Sequence, residues 1–338
     1  MTPLGFMNTP APSIRPGRDD DADAIIALIW ACWSQYPGVK LDVDGEMPEL
    51  RALATYYAGQ GGAFWVTDDG AGMIATRPLE DGTWEICRVY VHPSGHGSGL
   101  GHALLDIAER HAIAAGATRL ALWSDTRFAR AHHFYEKRSY VRAGPIRVLD
   151  DISNSLEYAY ANPVNGIEVL DAAAAQSAIH RLSDILIACV AEGAGVSFWH
   201  PLPRDTARAF WEASARDVAS GGKRLIAGWV DGVLAGTVTL ALAPQQNQPH
   251  RADIAKVLVD PACRRTGLAR RMMTAAEAEA IRLGRTLLTL DTRSGSAADR
   301  LYRGMGWTEV GRIPGFALLA DGTAEDDTAF FWKRLTPC

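Results

Sequence analysis

At 338 residues the chain is long enough for two domains of about 150 residues, each able to bury its own core. Hydrophobic residues at 48% and charged residues at 22% are ordinary for a globular protein and exclude a disordered or fibrous chain. A formal charge of -5 without a basic stripe argues against a nucleic-acid partner.

The opening "MTPLGFMNTPAPSIRP" lacks the basic region and long apolar stretch of a secretion signal, and no apolar run reaches the roughly 18 residues of a membrane span. A cytoplasmic monomer or homodimer with no membrane partner is expected, with a loose tail before about Ser13. An extended stretch, "SIRPG", leads into a helix, "DDADAIIALIWACWSQ", and a second helical stretch. Paired strands follow in "GGAFWVTDDGAGMIATRP", where Asp-Gly between apolar runs marks a hairpin. The strand "WEICRVYV" then enters the turn "HPSGHGSGLG" and a helix, followed by the strand "RLALWSDT", a tyrosine-bearing helix, and two closing strands in "YVRAGPIRVL" and "SLEYAYA". After "YANPVNG", where Asn162, Pro163, Asn165 and Gly166 interrupt the pattern, the same order begins again: "GIEVLD", helices from "AAAAQSAIHRLSDILIACVAE", the hairpin "KRLIAGWVDGVLAGTVTLALAP", the strand "ADIAKVLV", the turn "DPACRRTGLA", "TLLTLDTR", another tyrosine-bearing helix, and strands in "WTEVGRIPGFALL" and "TAFFWKRL".

The order repeats because the sequence does. "EICRVYVHPSGHGSGLG" and "DIAKVLVDPACRRTGLA" align without gaps, setting Glu85 on Asp253, Pro93 on Pro261 and Gly99 on Gly267, each pair 168 positions apart; Tyr135 and Tyr302 are 167 apart. The chain reads as a tandem duplication with domains 1–163 and 164–338. Its five cysteines, Cys32, Cys87, Cys189, Cys263 and Cys338, are scattered and never in a CxxC arrangement, which points to reduced thiols and to neither a disulfide framework nor a metal site.

Each glycine turn, set between a strand and a helix amino end, presents backbone N–H groups where the helix dipole favours an anion, the makings of a phosphate cradle. Arg264, Arg265, Arg270 and Arg271 crowd the second turn. Cations in a first helical turn oppose the dipole by roughly 0.3–1 kcal/mol each, an arrangement that makes better sense with a bound polyphosphate; for Arg270 and Arg271 plain solvation is an equal reading. The first turn has no arginine but carries His92, His96 and His102, which bring no charge when neutral. A dinucleotide site would use the same glycines, with Asp125 and Asp291 as ribose ligands. Against it stand Ala269 in place of a glycine, a turn that follows several strands instead of opening the domain, and antiparallel hairpins in each half. Trp30, Trp33, Trp199 and Trp211 read first as packing residues of the early helices and their loops, and second as a substrate wall.

The order of elements, the turn pattern [Q/R]xxGx[G/A], matched by "RRTGLA" and departed from by "HGSGLG", and the tyrosine before "EKRSY" resemble the GCN5-related N-acetyltransferases, twice over. The stretch "LLTLDTRSGSAADRLYRGMGWTEVGRIPGFALLADG" is similar to tabtoxin-resistance type acetyltransferases. The resemblance implies an α/β fold of two tandem domains, each a mixed, splayed sheet flanked by helices. It implies acetyl-coenzyme A as co-substrate, no metal, and a small-molecule amine as acceptor. The coenzyme's amide-bearing arm would lie along Val257, Leu258 and Val259 and its pyrophosphate on Arg264, Arg265, Thr266, Gly267, Leu268, Ala269 and Arg270. The equivalent residues of the first half are Val89, Tyr90 and Val91 and Gly97, Ser98, Gly99, Leu100, Gly101 and His102. Asp253 and Glu85 stand where the family often carries a base that takes the amine's proton, and Tyr302 and Tyr135 where it carries the acid for the departing thiolate. The family's frequent asparagine seven residues before the tyrosine is replaced by Phe128 and Gly295. With its arginines, the carboxyl half reads as the catalytic one, and the amino half as a second site or a coenzyme-binding partner. The competing reading is an acyl-coenzyme A binding or partner-recognition protein in which one or both halves are non-catalytic.

Overall fold

The structure, a computed structural model, describes residues 13–336; the tail expected before Ser13 lies outside them, as does Cys338. The chain forms two compact units, Met1–His132 with Gly144–Ala161, and His133–Ala143 with Asn162–Cys338. The first unit ends at Ala161, and an eleven-residue excursion, His133–Ala143, belongs to the second.

In the first half the elements are β1 (Ile14–Pro16), α1 (Ala22–Trp33), α2 (Leu53–Gly59), β2 (Ala63–Thr67), β3 (Gly72–Pro78), β4 (Thr83–Val91), α3 (Leu100–Ala114), β5 (Arg119–Asp125), α4 (Ala129–Lys137), β6 (Val141–Arg142), β7 (Arg147–Val148) and β8 (Leu156–Pro163). Strands β1 to β5 lie in sequence order, followed by β8 with β7 beside it. Ile25, Leu28 and Ile29 of α1 and Leu53 and Tyr57 of α2 pack on Phe64, Val66, Met73 and Ala75 of the sheet. Strand β4 pairs with β5 in parallel, over Thr83–Glu85 and Arg119–Ala121.

The second half repeats this with β9 (Ile167–Leu170), α5 (Ala172–Ala191), α6 (Arg204–Ala219), β10 (Lys223–Val230), β11 (Val233–Leu242), β12 (Arg251–Val259), α7 (Leu268–Arg282), β13 (Leu287–Arg293), α8 (Ala297–Arg303), β14 (Thr308–Leu318) and β15 (Glu325–Arg334). The sheet order is β14-β15-β13-β12-β11-β10-β9. Asp231 and Gly232, both at positive φ (48° and 77°), make the tight turn between β10 and β11 that Asp-Gly signals. Helix α7 covers one face through Met272, Met273, Ala276 and Ala280, packed on Ile226, Val238, Ile254 and Leu288. Helices α5 and α6 cover the other through Leu182, Ile185, Leu186 and Trp211, packed on Leu225, Ala227, Trp229 and Leu258. Trp211 and Trp229 are fully buried, each worth upwards of about 2 kcal/mol in apolar area.

The excursion is held by this second core. Val141 is buried among the α5 residues, Arg142 N donates to Ser177 Oγ at 3.0 Å, and Trp229 Nε1 donates to Ser139 O at 3.0 Å.

Candidate active site

Parallel pairing of β12 with β13 stops at Asp253 and Thr289, although β12 runs on to Val259 and β13 to Arg293. Beyond that point the two strands part, and the β12 backbone from Ile254 onward loses its neighbour on that side. A cleft of about 930 Å³ occupies the opening, floored by β12, closed at one end by the turn into α7 and walled by the end of β13, the start of α8 and the loop after α5.

A bulge shapes the floor. Pairing of β11 with β12 shifts between Thr237 and Thr239, and Lys256 there takes φ 49°. The first half repeats the device: pairing of β3 with β4 shifts between Met73 and Ala75, and Arg88, 168 positions before Lys256, takes φ 54°. Long side chains in the left-handed region cost roughly 1–2 kcal/mol, so both halves keep the kink at some expense. Sequence alternation gave no sign of it. A second feature shared by both halves was also missed: Cys189 Sγ donates to Val259 O at 3.3 Å and Cys32 Sγ to Val91 O at 3.4 Å, each tying the first helix of its half to the last carbonyl of the floor strand. Burial raises both thiols above their ordinary range, so they remain protonated donors.

At the turn, Gly267 is the residue before α7 at φ 77°, and Gly99 takes the same place before α3 at φ 89°. Arg265 holds φ 65° where the first half has Gly97 at φ 83°. Arg264, Arg265 and Arg270 line the cleft and Arg271 does not. Arg264 Nε donates to Val259 O at 3.4 Å and Arg270 Nη1 to Gly304 O at 3.2 Å. In the first half Ser98 Oγ accepts from Leu100 N at 3.3 Å and donates to Gly95 O at 2.7 Å, occupying a first-turn amide. His92 Nδ1 is engaged by Ser94 Oγ at 2.7 Å.

Of the residues predicted for the carboxyl half, Val257, Leu258, Val259, Arg264, Arg265, Gly267, Leu268, Ala269, Arg270 and Tyr302 line one cleft. Thr266, whose Oγ1 donates to Cys263 O at 3.0 Å, and Asp253 do not. Asp253 sits where β12 and β13 still pair, bound to Arg251 Nη1 at 2.5 Å and to the Thr289 hydroxyl. Glu85 is likewise taken by Arg77 Nη2 at 2.6 Å. Tyr302 is 4% exposed, packed beside Trp307 and Phe331; burial, and then the charge of Asp291, push its phenol up, so it carries its proton at neutral pH. Tyr135 is also buried, against Tyr140, in the excursion that belongs to the second unit.

The two halves differ most in how they treat the charges around the splay. In the first, Arg88 is paired with Glu49 Oε1 at 2.5 Å, and Asp125 is gripped by Arg127 through Nε at 2.8 Å and Nη2 at 2.5 Å. Burial works against the Asp125 carboxylate, but Arg127 offsets it and holds the group below the usual range. In the second, the same tripeptide Asp-Thr-Arg recurs at Asp291, yet Arg293 turns to Asp326 at 2.6 Å. Asp291 lines the cleft with no ion pair among the described residues. Lys256 forms no ion pair among the described residues either; its Nζ lies 5.4 and 5.9 Å from the ring centroids of Phe210 and Phe198.

The Acetyltransferase (GNAT) family model matches residues 22–140 and again 189–307. An uncharacterized N-acetyltransferase encoded between hisH and hisA in Azospirillum brasilense is 32% identical over 117 residues, covering 34% of this chain and 68% of that protein. Among solved structures, yncA from Salmonella typhimurium, determined with its cofactor acetyl-CoA, aligns at 20% identity and a TM-score of 0.42 over 52% of this chain and 96% of its own. An N-acetyltransferase from Staphylococcus aureus Mu50 aligns at 17% identity and a TM-score of 0.44 over 51% and 99%. With a strand splay, a glycine turn and a buried tyrosine in its carboxyl half, and with the family model matched once in each half, the chain belongs to the GNAT acetyltransferase family as a tandem member.

Proposed function

We propose that the carboxyl-terminal unit transfers an acetyl group from acetyl-coenzyme A to the amine of a small molecule. The observation that carries this is the single cleft joining an unpartnered stretch of β12, an arginine-bearing helix amino end and the Tyr302 phenol. The donor set suits the coenzyme: backbone amides of β12 for an amide-bearing arm, and first-turn N–H groups with Arg264, Arg265 and Arg270 for a pyrophosphate. Bound there, acetyl-coenzyme A supplies an acetyl group activated as a thioester.

The protein's tasks are then to orient the amine, to take its proton and to stabilise the departing thiolate. A lysine-like amine with pKa near 10.4 costs about 4.6 kcal/mol to deprotonate at pH 7, an α-amine near 8 only about 1.4, so a carboxylate within reach matters most for the first. Two carboxylates compete. Asp253 is favoured by its recurrence as Glu85 and would act through water from the closed end of the splay. Asp291 is favoured by geometry, because it lines the cleft unpaired. Tyr302 serves the thiolate as a hydrogen-bond donor more than as a full acid: burial holds the phenol above its ordinary range, so full transfer of its proton to a thiolate, ordinarily a weaker base than a phenolate, is uphill.

The amino half, with its cation and carboxylate already paired, acts as a coenzyme-binding or structural partner. Thiol release from acetyl-coenzyme A on addition of an amine panel, with mass spectrometry of the acetylated product, tests the proposal. A coenzyme-dependent thermal shift with no thiol released by any amine would assign the chain to binding alone.

A further inference from the structure

Beside the cleft lies a second pocket of about 360 Å³. The two share Asp291 and Arg293 and the loop after α5, so an acceptor entering the pocket meets the coenzyme cleft at Asp291. Its far wall is apolar, with Trp199 59% and Phe316 52% exposed. Such a wall suits the uncharged body of a small molecule. The charges at the junction say more. Arg293 is spent on Asp326, which leaves the Asp291 carboxylate and the Lys256 ammonium at the parting of the strands without an ion pair among the described residues. They form no ion pair with each other, yet the carboxylate's charge is felt at the ammonium and opposes the lowering of its pKa by burial.

We infer that Asp291 and Lys256 together select an acceptor that carries a carboxylate beside its amine, the amine going to Asp291 and the carboxylate to Lys256. This rests on the acetyl-transfer reading above. A partly desolvated ammonium flanked by Phe198 and Phe210 gains from aromatic faces but leaves its hydrogen-bond donors for an anion, which would bind as a charge-assisted pair. The amino half serves as an internal control. Its cation at the bulge and its carboxylate at the end of β5 are both neutralised within the protein, by Glu49 and Arg127. Neutralisation is therefore available to this fold, and the carboxyl half dispenses with it at both positions. Opposite charges that are near but unpaired can be bridged by one zwitterion, whereas a polyamine would meet Lys256 as a like charge.

The test uses the full chain and sets of acceptors sharing one side chain: an amino acid, its carboxamide and its decarboxylated amine, with O-phosphoethanolamine as the phosphate counterpart. The expected result is a kcat/KM for thiol release about 10- to 100-fold higher for the amino acid than for its carboxamide or amine, the range for a hydrogen-bonded charge. Lys256→Gln should erase that preference by lowering only the amino-acid value, and Lys256→Arg should keep it. A thermal shift with acetyl-coenzyme A verifies that each variant folds. Equal use of acid, carboxamide and amine by the unaltered protein overturns the inference, as does a Lys256→Gln loss that is uniform across acceptors. Preference for the phosphate-bearing amine would overturn the carboxylate assignment. Thiol release absent with every acceptor would remove the transfer reading and the inference with it.

Discussion

Gly99 and Gly267 offer a matched pair of perturbations. Each precedes the helix after its floor strand, at φ 89° and 77°, and a Cβ built on either meets no atom within 4 Å. Alanine at either position therefore pays only for the left-handed backbone, about 1–2 kcal/mol. For units of this size each kcal/mol lowers Tm by roughly 2–4 °C, so both Gly99→Ala and Gly267→Ala should melt about 2–8 °C below the parent chain. Their effects on activity should diverge. At Gly267 the added methyl intrudes on a cradle backed by Arg264, Arg265 and Arg270, and a loss of about 1.4 kcal/mol in coenzyme binding is tenfold in affinity. Gly267→Ala should raise the KM for acetyl-coenzyme A about tenfold or more, and Gly99→Ala should leave turnover unchanged. Differential scanning fluorimetry and thiol release with a saturating amine measure the two effects on the same preparations. Collapse of activity in Gly99→Ala with normal kinetics in Gly267→Ala would refute the assignment of the catalytic half; unequal thermal losses would refute the argument that only the dihedral is at stake.

Arg265→Gly restores the residue found at Gly97 and removes a left-handed arginine, so it should raise stability by up to about 1 kcal/mol while weakening coenzyme binding, a combination read by denaturant melts and calorimetry. Tyr302→Phe should cost about 10- to 100-fold in kcat, the worth of a hydrogen bond to a charged group, with Tyr135→Phe near unity; normal turnover in the first would leave Tyr302 a packing residue. Asp291→Asn and Asp253→Asn separate the proposed bases: the larger kcat loss at pH 7, shrinking as pH approaches the amine's own pKa, marks the residue that takes the proton. At Cys87, burial pushes the thiol up to about 12, against about 8.5 when unfolded. The folded state then holds the extra proton above pH 8.5, so this contribution is intact below that pH and is lost as pH rises toward 12, about 2 kcal/mol of it by pH 10. Cys87→Val should flatten the alkaline limb of stability in urea melts, and an unchanged limb would mean the thiol is not desolvated.

What could be read directly from the chain was local or repeated. Asp231 and Gly232 turn a hairpin because their own φ values demand it, and Gly99 and Gly267 end their turns for the same reason. The repeat made the order of strands and helices legible twice, since each copy checks the other. The membership of His133–Ala143 in the second unit was not legible, because it depends on Val141 finding α5 and on Trp229 reaching Ser139 O, partners far along the chain. The bulge at Lys256 was invisible for a related reason: a one-residue slip is defined by Thr237 and Thr239 on the neighbouring strand, not by anything in "ADIAKVLV".

The Asp-Thr-Arg tripeptide shows why identical residues need not carry identical chemistry. At Asp125 the arginine two residues on closes back on the carboxylate; at Asp291 it is drawn off by Asp326, a residue of β15 with no claim on the site in the sequence pattern. The same holds at the bulge, where Glu49 satisfies Arg88 and Lys256 forms no ion pair among the described residues, though it feels the charge of Asp291. A duplicated fold begins with two equal sites, and an ion pair within the protein silences a charge as effectively as its deletion, because a partnered carboxylate neither accepts a proton readily nor offers its field to a ligand. The distinction between the halves therefore lies less in which residues were kept than in which were left without a partner. On that criterion Asp291, whose arginine turns to Asp326, is the proposed base to test first.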